Sequence, residues 1–565
     1  MKKVVILLLL CCTFMHTAAT SDWDHFKGSL ERTGSSDAPA PDTAYLEWKV
    51  DFESALYSSP VVKDGKVIQV GLKKVACILI ETGDILWTSC IPAYNSTPAV
   101  SDDKIVVATN RGISALSVEN GDLVWEYMVE GRFSSVDMVD YIVSSPVVDE
   151  GKVVVGTLPY NRWILDGPRS YDYNELYLVC LDETSGEEMW YRRTGLGVFS
   201  APCIAHGRAF VAEREILCID LENGDVIWDS GGKYPYSFSK PMEERYVFRY
   251  STPSLYHGIL IGGSCVREWL RTEPKFIGQK KIVAIDQYTR DILWEWLEEG
   301  FLASSPAVYE GKIYFYSYEG MVHCISLLGG EEVWRTSISE PREFDDENFR
   351  LWPSPSVADG KVYIGSIEED FYCLDAYTGE ILWKYETGPI YSAPAISQER
   401  VLISSTDGSL YCFGIDPETY IVKARKYIEE ENYGRAEEFL IKAQEYAETD
   451  EEIKEIEELL DIIDDHKEEY QERQEKIEEA ESLMDRADEI LWNDQFKEAQ
   501  DLYKKARKIY KKVDDDFGVS FCESRIEYIQ GRIPEEERGI PDIYLWVLVI
   551  VICVAAATIL LKKVR

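Results

Sequence analysis

Hydrophobic residues between positions 45 and 415 alternate with polar ones in short runs that are rich in β-branched and aromatic side chains. This period of two predicts β-strands. The runs come in groups of four: one after a proline (VVKDGK), a second (KVIQVG), a third that bears Cys or Ala, and a fourth that bears Trp. The pattern predicts a series of small four-stranded antiparallel sheets.

A fixed spacing indicates that these sheets are copies of one unit. Seven times a Cys or Ala precedes a Trp by ten residues, in the pairs Cys77 and Trp87, Ala115 and Trp125, Cys180 and Trp190, Cys218 and Trp228, Ala284 and Trp294, Cys324 and Trp334, and Cys373 and Trp383. Six units place Gly at the sixth step, where a tight turn favours positive φ, and the seventh has Arg290. A Ser-rich step precedes each first strand and ends at Pro60, Pro98, Pro146, Pro202, Pro253, Pro306, Pro355 or Pro394. An internal repeat of this kind predicts a β-propeller.

The eighth unit is divided between the two ends of the repeat region. After Pro394 the chain has two more strands, the second with Cys412, and no Trp follows ten residues later. The missing strand is predicted in YLEWKV at 45–50, which contains Trp48. Pairing of the two segments closes the ring and leaves no open sheet edge. The predicted fold is mainly β, an eight-bladed propeller over residues 45–415 with N-terminal strand closure.

Both ends of the chain predict export and membrane attachment. Residues 1–19 have two lysines, an apolar run and small residues, the pattern of a signal peptide, and 20–44 form a lead-in segment. Residues 544–561 are an uncharged run long enough to cross a bilayer, and the basic tail 562–565 follows. We expect a single-pass protein of the cell membrane, with the propeller and the helical region outside the cytoplasm and the C-terminus inside.

Residues 416–540 have the composition of helices. Alanines and large aromatic residues recur at steps of three and four, at Tyr433, Ala436, Leu440, Ala443 and Ala447 and again at Phe496, Ala499, Tyr503, Ala506 and Tyr510. This spacing resembles the paired helices of tetratricopeptide repeats. An acidic, long helix is predicted between the two series, at 449–481.

Charge and cysteine content narrow the function classes. The net charge of −42 would repel nucleic acid and anionic lipid, so neither is expected as a partner. Six of the 13 cysteines occupy the Cys/Ala position of the repeat, where they are predicted to be free core thiols because equivalent strands lie too far apart for a disulfide. Cys90, Cys203 and Cys265 lie off this position, and the sequence does not pair them.

Long connections are predicted on one face only. In an up-and-down blade, the connection between strands two and three and the connection into strand one share a face, which we call the loop face; the other two turns form the turn face. Insertions at 131–142, 158–174, 231–249, 265–279 and 340–351 all fall on the loop face. The turns on the turn face stay short.

The unit Cys373 to Trp383 (CLDAYTGEILW) resembles the repeat of the pyrroloquinoline-quinone (PQQ) enzyme-like β-propellers, and WDHFKGSLERTG at 23–34 resembles their lead-in segment. The resemblance implies that the repeat tryptophans dock between neighbouring blades, as a girdle of Trp48, Trp87, Trp125, Trp190, Trp228, Trp294, Trp334 and Trp383. The family includes quinoprotein alcohol and glucose dehydrogenases and also cofactor-free members such as the propeller of the bacterial outer-membrane assembly machinery. Fold does not decide between these functions.

The residues favour a cofactor-free member. Dehydrogenases of the methanol type stack the quinone on a disulfide between adjacent cysteines, and the only adjacent pair here, Cys11 and Cys12, lies in the signal peptide. No Cys-x-x-Cys-His motif for covalent haem is present, and the six histidines have no metal-ligand spacing. No metal, catalytic residue or cofactor is therefore expected, and PQQ with calcium belongs only to the alternative hypothesis.

Two groups of residues are candidates for binding. Aromatic and arginine side chains just before the repeated prolines are predicted at the mouth of the central channel, namely Tyr57, Tyr94, Phe199, Arg249, Tyr250, Arg350, Trp352 and Tyr391. The inserted loops carry a second group, Arg162, Trp163, Arg267, Trp269 and Arg271, the residue types enriched at protein interfaces. The alternatives are that the first group fills the channel and that the second packs within its own loops. Asn95 opens a sequon for N-glycosylation, Asn95-Ser96-Thr97.

The leading hypothesis is a membrane-anchored, non-catalytic scaffold that binds a protein or surface polymer of the cell envelope through its loop face. The alternative is a PQQ-dependent dehydrogenase of alcohols or sugars that passes electrons to a separate membrane carrier. A purely structural surface-layer component is a third possibility.

Overall fold

The structure is a computed structural model of the 565-residue chain, and it describes residues 22–91, 96–109, 112–128, 142–158, 175–196, 200–212, 216–230, 251–269, 276–300, 302, 304–340, 353–447, 449–491, 495–530 and 532. The predicted signal peptide at 1–19 and the predicted membrane span at 544–561 lie outside these residues. In the described part of the chain, no helix is both long and apolar enough to cross a membrane. The chain divides into two compact units, 1–463 and 464–565.

Eight antiparallel sheets follow one another around a ring in the first unit. The first strand of each blade contacts the first strand of the next, and blade 8 contacts blade 1. The strands of blades 1 to 4 are Val61–Lys63, Lys66–Gly71, Lys74–Leu79 and Ile85–Ser89; Ala99–Val100, Lys104–Ala108, Gly112–Ser117 and Leu123–Met128; Val147–Asp149, Lys152–Leu158, Glu175–Asp182 and Glu188–Leu196; Cys203–Ala205, Arg208–Ala212, Ile216–Asp220 and Val226–Asp229.

Blades 5 to 8 repeat the same order. Their strands are Ser254–Tyr256, Ile259–Trp269, Phe276–Asp286 and Ile292–Glu299; Ala307–Tyr309, Lys312–Tyr316, Met321–Ser326 and Glu332–Ser337; Ser356–Ala358, Lys361–Gly365, Asp370–Asp375 and Ile381–Glu386; Ala395–Ser397, Arg400–Ser404, Ser409–Phe413 and Leu46–Asp51. Two short strands are added to this pattern: Ile142–Val143 pairs with the second strand of blade 3, and Ser35–Ser36 pairs in parallel with the first strand of blade 7.

The last blade confirms the predicted closure of the ring. Leu46–Asp51 runs antiparallel to Ser409–Phe413, and Trp48 lies opposite Cys412. The same Cys/Ala-to-Trp pairing recurs inside the other blades, for example between Cys77 and Trp87. The ten-residue spacing is therefore the length of chain that brings two neighbouring strands into this register around a tight turn.

Small residues at the Cys/Ala position fill the space between blades. Cys77, Cys180, Cys218, Cys324, Cys373 and Cys412 are all 0% exposed, as are Ala115 and Ala284. Each described cysteine whose side chain is placed is a free thiol, and Cys90 is the exposed one among them. Close packing at this position explains why only Cys and Ala occur there.

One predicted loop is largely a hairpin. Residues 265–279 were expected to form a loop between strands two and three of blade 5, but these strands continue through Cys265 to Trp269 and from Phe276, with Trp269 opposite Phe276. The backbone therefore satisfies its hydrogen bonds by extending the sheet past the ends of the neighbouring blades.

In the described residues after the propeller, five helices follow a short 3₁₀ turn at Pro417–Thr419. They are α1 (Tyr420–Glu429), α2 (Tyr433–Tyr446), α3 (Asp450–Leu491), α4 (Phe496–Tyr510) and α5 (Asp516–Gln530). The long acidic helix predicted at 449–481 is α3, which continues ten residues further. In the first unit, α1, α2 and the beginning of α3 enclose an apolar core around Phe439. In the second unit, buried Tyr503 donates a hydrogen bond to Asp488.

Candidate functional site

The repeat tryptophans join each blade to the next. In six blades the indole Nε1 donates, at 2.8–3.0 Å, to the carbonyl oxygen three residues after the Cys or Ala of the following blade. The donor and acceptor pairs are Trp48 and Ile80, Trp87 and Val118, Trp125 and Glu183, Trp190 and Leu221, Trp294 and Leu327, and Trp334 and Ala376.

The glycine at the sixth step lies against the same indole ring. Gly121 has a φ of +75°, and a Cβ atom at this position would lie 2.5 Å from the ring of Trp87. The other members are arranged in the same way under the tryptophan of the preceding blade: Gly83, Gly186, Gly224, Gly330 and Gly379. Glycine is required here both for the backbone conformation and for the space that the ring occupies.

Two tryptophans of the girdle lack this arrangement. Among the described residues, the buried Nε1 atoms of Trp228 and Trp383 have no hydrogen-bond acceptor. In blade 5, which follows the blade of Trp228, the equivalent turn has Arg290 in place of glycine, with a φ of +69°. Blade 8, which follows Trp383, has no turn after its third strand because its fourth strand comes from the N-terminal side. The two interfaces without the glycine are thus the two without the indole hydrogen bond.

A ring of hydroxyl groups surrounds the central channel. In six of the eight blades, the backbone N–H of the residue before the repeat proline donates to the hydroxyl of the equivalent residue in the next blade. The donors and acceptors are Ser59 and Thr97, Thr97 and Ser145, Ala201 and Thr252, Thr252 and Ser305, Ser305 and Ser354, and Ala393 and Ser59. We call this set the hydroxyl ring. It is interrupted in blades 4 and 8, where the equivalent residues are Ala201 and Ala393. The Ser-rich steps of the sequence therefore tie the inner strands together.

The lead-in segment lies inside the ring of first strands. The second residue after the repeat proline donates its N–H to this segment in each of blades 1 to 7, in the pairs Val62 and Trp23, Val100 and Asp24, Val148 and His25, Ile204 and Leu30, Leu255 and Glu31, Val308 and Thr33, and Val357 and Gly34. His25 accepts through Nε2 and the other six through carbonyl oxygens. The segment thus uses inward-facing amides that a ligand in the channel would otherwise meet.

Two cations of the lead-in segment fill the interior. Lys27 donates to the carbonyl oxygen of Pro355 at 2.7 Å, and Arg32 donates to that of Pro202 at 3.0 Å. Both side chains are fully buried. Burial lowers the pKa of Arg32 to about 10 and holds the pKa of Lys27 well below its usual value. Backbone carbonyls of the innermost strands therefore solvate the two charges.

Two of the predicted channel-mouth residues lie in the described part of the chain. The rings of Tyr57 and Tyr391 are 5.8 Å apart between centroids, at an interplanar angle of 42°, and both side chains are partly exposed. Tyr57 precedes the first strand of blade 1 and Tyr391 precedes that of blade 8, and Ser404 of blade 8 donates to the carbonyl oxygen of Ser58 in blade 1. The pair forms an aromatic patch beside the interface between blades 8 and 1. The other predicted members lie outside the described residues: Tyr94, Phe199, Arg249, Tyr250, Arg350 and Trp352.

The second predicted group is divided in the same way. Arg267 and Trp269 lie in the extended hairpin of blade 5, opposite Gly278 and Phe276. Arg162, Trp163 and Arg271 lie outside the described residues, as does the sequon asparagine Asn95. The structure therefore brings Tyr57 and Tyr391 together and places Arg267 and Trp269 two residues apart on one strand.

The described residues contain no group of three or more His, Cys, Asp or Glu side chains that could hold a metal ion. At the level of the repeat prolines, the interior of the ring is lined with Lys27, Arg32 and the backbone of the lead-in segment.

Sequence reasoning missed the role of the lead-in segment. Its contacts run mostly through backbone carbonyls, which leave no side-chain pattern to recognise. The signal that was present is the pair Lys27 and Arg32 in a chain with many more acidic than basic residues, close to a tryptophan.

Comparison with known proteins agrees with this architecture. A sequence model of the family described as outer membrane protein assembly factor BamB matches residues 37–230 and 318–419, more than half of the chain. The unmatched interval between them includes blade 5 with its extended hairpin. A search of curated proteins found no match.

Solved structures with the same fold are distant in sequence. The chain is similar to BamB from Moraxella catarrhalis at 14% identity, over 65% of this chain and 98% of that one, with a TM-score of 0.48. It is similar to the quinohemoprotein alcohol dehydrogenase from Comamonas testosteroni at 13% identity, over 73% of this chain and 85% of that one, with a TM-score of 0.52. At these identities the similarity concerns the fold alone.

Proposed function

The chain belongs to the family of the outer membrane protein assembly factor BamB, and from this premise we propose that it is a non-catalytic binding scaffold, tethered to a membrane and displayed outside the cytoplasm. It engages a protein or a surface polymer of the envelope through the loop face of the propeller. The membrane tether is the apolar run at 544–561.

The asymmetry of the two faces carries this proposal. The long connections at 129–141, 159–174, 231–250, 270–275 and 341–352 all begin and end at strand termini of the loop face. The turns of the opposite face are short, with glycines held against indole rings. Sequence that varies in length on one face of a rigid scaffold is where binding residues are found in proteins of many folds.

The filled interior of the ring supports the same conclusion. Inner amides of seven blades are bonded to the lead-in segment, so a partner meets the rim and the loop face instead of a deep channel. Tyr57 and Tyr391 offer an aromatic patch at that rim. Aromatic side chains supply contact area at small entropic cost, which suits a protein or polymer surface.

The test compares variants of the full-length chain purified in detergent. Alanine at Trp163, Trp269 and Trp352 together should abolish the capture of partners from envelope extract. Leu86→Ala is the matched control, since Leu86 is 48% exposed on the fourth strand of blade 1, away from the loop face. Capture that survives the triple variant, or is lost equally in the control, contradicts the proposal.

A second measurement separates this function from a PQQ-dependent dehydrogenase. The purified chain is incubated with PQQ and calcium, and dye reduction is followed with alcohols and sugars. We expect no reduction above that of the quinone alone. Dye reduction that depends on both protein and substrate would contradict the scaffold function and favour the enzyme.

A further inference from the structure

Closing the ring with an N-terminal strand removes a contact that six of the other seven blades have. In blades 1, 2, 3, 4, 6 and 7 the turn after the third strand supplies the glycine and the carbonyl oxygen that hold the preceding tryptophan. The third strand of blade 8, Ser409–Phe413, leads into a helix instead. Trp383 of blade 7 therefore has no turn to dock on, and among the described residues its indole N–H has no acceptor.

The inner end of the same interface also lacks the hydroxyl-ring hydrogen bond. The hydroxyl ring is interrupted at Ala393, so blade 8 offers no hydroxyl to the backbone N–H of Ser354 in blade 7. Apolar packing remains, since the ring of Phe413 lies 5.7 Å from that of Trp383 and 5.0 Å from that of Tyr385. The hydroxyl of Ser356 in blade 7 also donates to the carbonyl oxygen of Pro394 in blade 8 at 2.7 Å. The interface between blades 7 and 8 thus keeps its apolar core and this one hydrogen bond, and it lacks the indole and hydroxyl-ring contacts that recur between other blades.

Helices α1 and α2 lie across this interface. From α1, Lys423 forms an ion pair with Asp359 of blade 7 at 3.1 Å, and Tyr427 donates to the same carboxylate at 2.7 Å. From α2, Lys442 forms an ion pair with Glu399 of blade 8. Asp359 and Glu399 both lie in turns between the first and second strands, on the turn face. Helix α1 therefore binds blade 7, and helix α2 binds blade 8.

The contact on blade 7 is a buried, charge-balanced cluster that also includes the lead-in segment. Lys423 reaches Asp42 at 2.8 Å and the carbonyl oxygen of Ala40 at 2.8 Å, and Lys361 reaches Asp42 and Asp359 at 2.8 Å each. Lys361, Lys423 and Asp359 are less than a tenth exposed. Two lysines and two carboxylates satisfy one another, which is the condition under which buried charges are tolerated.

We propose that α1 and α2 form a latch that holds blades 7 and 8 together in place of the turn that ring closure removes. The latch also fixes the lead-in segment at residues 40–42, so the two chain ends of the propeller are held at one point. The beginning of the helical region is on this account a structural part of the ring, and only residues beyond it act as a spacer or a docking surface.

The test is hydrogen exchange of the full-length chain in detergent, comparing Lys423→Met with Lys426→Met. Lys426 is on the same helix with its side chain half exposed, and its ion pair is with Glu430 of that helix. Lys423→Met should speed amide exchange at least tenfold in peptides covering 353–365 and 387–404. Exchange in 200–212 of blade 4 should stay within twofold of the parent chain, and Lys426→Met should change none of the three.

Other outcomes overturn the latch. Equal exchange profiles in the two variants, or faster exchange spread evenly over all eight blades, would mean that Lys423 does not stabilise the interface between blades 7 and 8 locally. If Lys423→Met does not accumulate, Lys442→Met provides the same comparison from the blade 8 side, since it removes the ion pair with Glu399 and a contact with the Phe439 ring of its own helix, and it leaves the Asp359 cluster in place. The faster exchange should then be confined to 387–404, and its absence there would contradict the proposal.

Discussion

The indole nitrogen of Trp48 donates a hydrogen bond to the carbonyl oxygen of Ile80, 2.8 Å away. Trp48 lies opposite Cys412 in blade 8, whereas Ile80 belongs to blade 1. A single residue of the closing strand therefore completes one blade and attaches it to the next. On the other side of blade 8, at its interface with blade 7, the indole nitrogen of Trp383 has no such acceptor among the described residues.

The indole hydrogen bond should be measurable by comparing two tryptophans of the girdle. Trp48→Phe loses a hydrogen bond and leaves the Ile80 carbonyl oxygen without its partner, while Trp228→Phe removes an N–H that has no acceptor among the described residues. We expect Trp48→Phe to be the more destabilising by about 1 kcal/mol. Urea unfolding of the full-length chain, followed by circular dichroism, measures the difference. Equal shifts of the midpoint would contradict it.

The two requirements on the sixth-step glycine can be separated by alanine substitution. Gly121 and Gly151 both have positive φ, at +75° and +74°, but a Cβ atom at Gly121 meets the Trp87 ring and one at Gly151 meets nothing within 4 Å. Both variants lose about 1–2 kcal/mol from the left-handed backbone. Gly121→Ala should lose about 1–3 kcal/mol more from overpacking. Thermal unfolding of the two variants tests this, and similar losses would mean that the ring moves aside at little cost.

The overall fold was predictable because the repeated residues mark equivalent positions in every blade. Eight prolines, a ten-residue spacing and the unpaired strand at 45–50 fixed the blade number and the partner of Trp48. The sixth-step glycine was correctly assigned to a tight turn. Its second role could not be read from the sequence, since it depends on which ring of the preceding blade lies against it.

The interior and the latch were not predictable for physical reasons. The lead-in segment binds through backbone carbonyls, which every sequence has. The pair of Lys423 and Asp359 joins residues far apart in a chain with 101 acidic side chains, so charge pattern alone gives many equivalent partners. Of the candidate site, the adjacency of Tyr57 and Tyr391 followed from their equivalent positions in neighbouring blades.

Completing the hydroxyl ring should stabilise the protein. Ala393→Ser places a hydroxyl where the equivalent residues of six blades have one, and gives the N–H of Ser354 an acceptor. We expect a gain of up to about 1 kcal/mol in the free energy of unfolding. Ala395→Ser is the control, because Ala395 is fully buried at the start of the first strand of blade 8, two residues after Ala393, and lies off the hydroxyl ring. A loss of stability in both variants would show that the missing hydroxyl at Ala393 does not limit the free energy of unfolding.

Acid should weaken the latch. Burial alone would raise the pKa of Asp359, but attraction to Lys361 and Lys423 outweighs burial and lowers it far below its ordinary value. A carboxylate with a lowered pKa in the folded state contributes stability above the pKa of the unfolded chain, about 3.9, and that contribution is lost as the pH falls below it. The advantage of the parent chain over Asp359→Asn, measured by urea unfolding from pH 7 to pH 2.5, should therefore shrink below about pH 4. Parallel curves would contradict this.

Thiol reactivity should distinguish the cysteines of the repeat from Cys90. Burial raises the pKa of Cys77 to about 11 and those of Cys180 and Cys324 to about 12, while Cys90 is exposed. Since the thiolate is the nucleophile, iodoacetamide at pH 8 should modify Cys90 at least a hundredfold faster than Cys77 in the folded chain. Peptide mass spectrometry over a time course measures each rate, and the same reaction in 8 M urea, where all sites should react alike, is the control. Rapid native labelling of Cys77 would mean that blades 1 and 2 separate far more often than their packing allows.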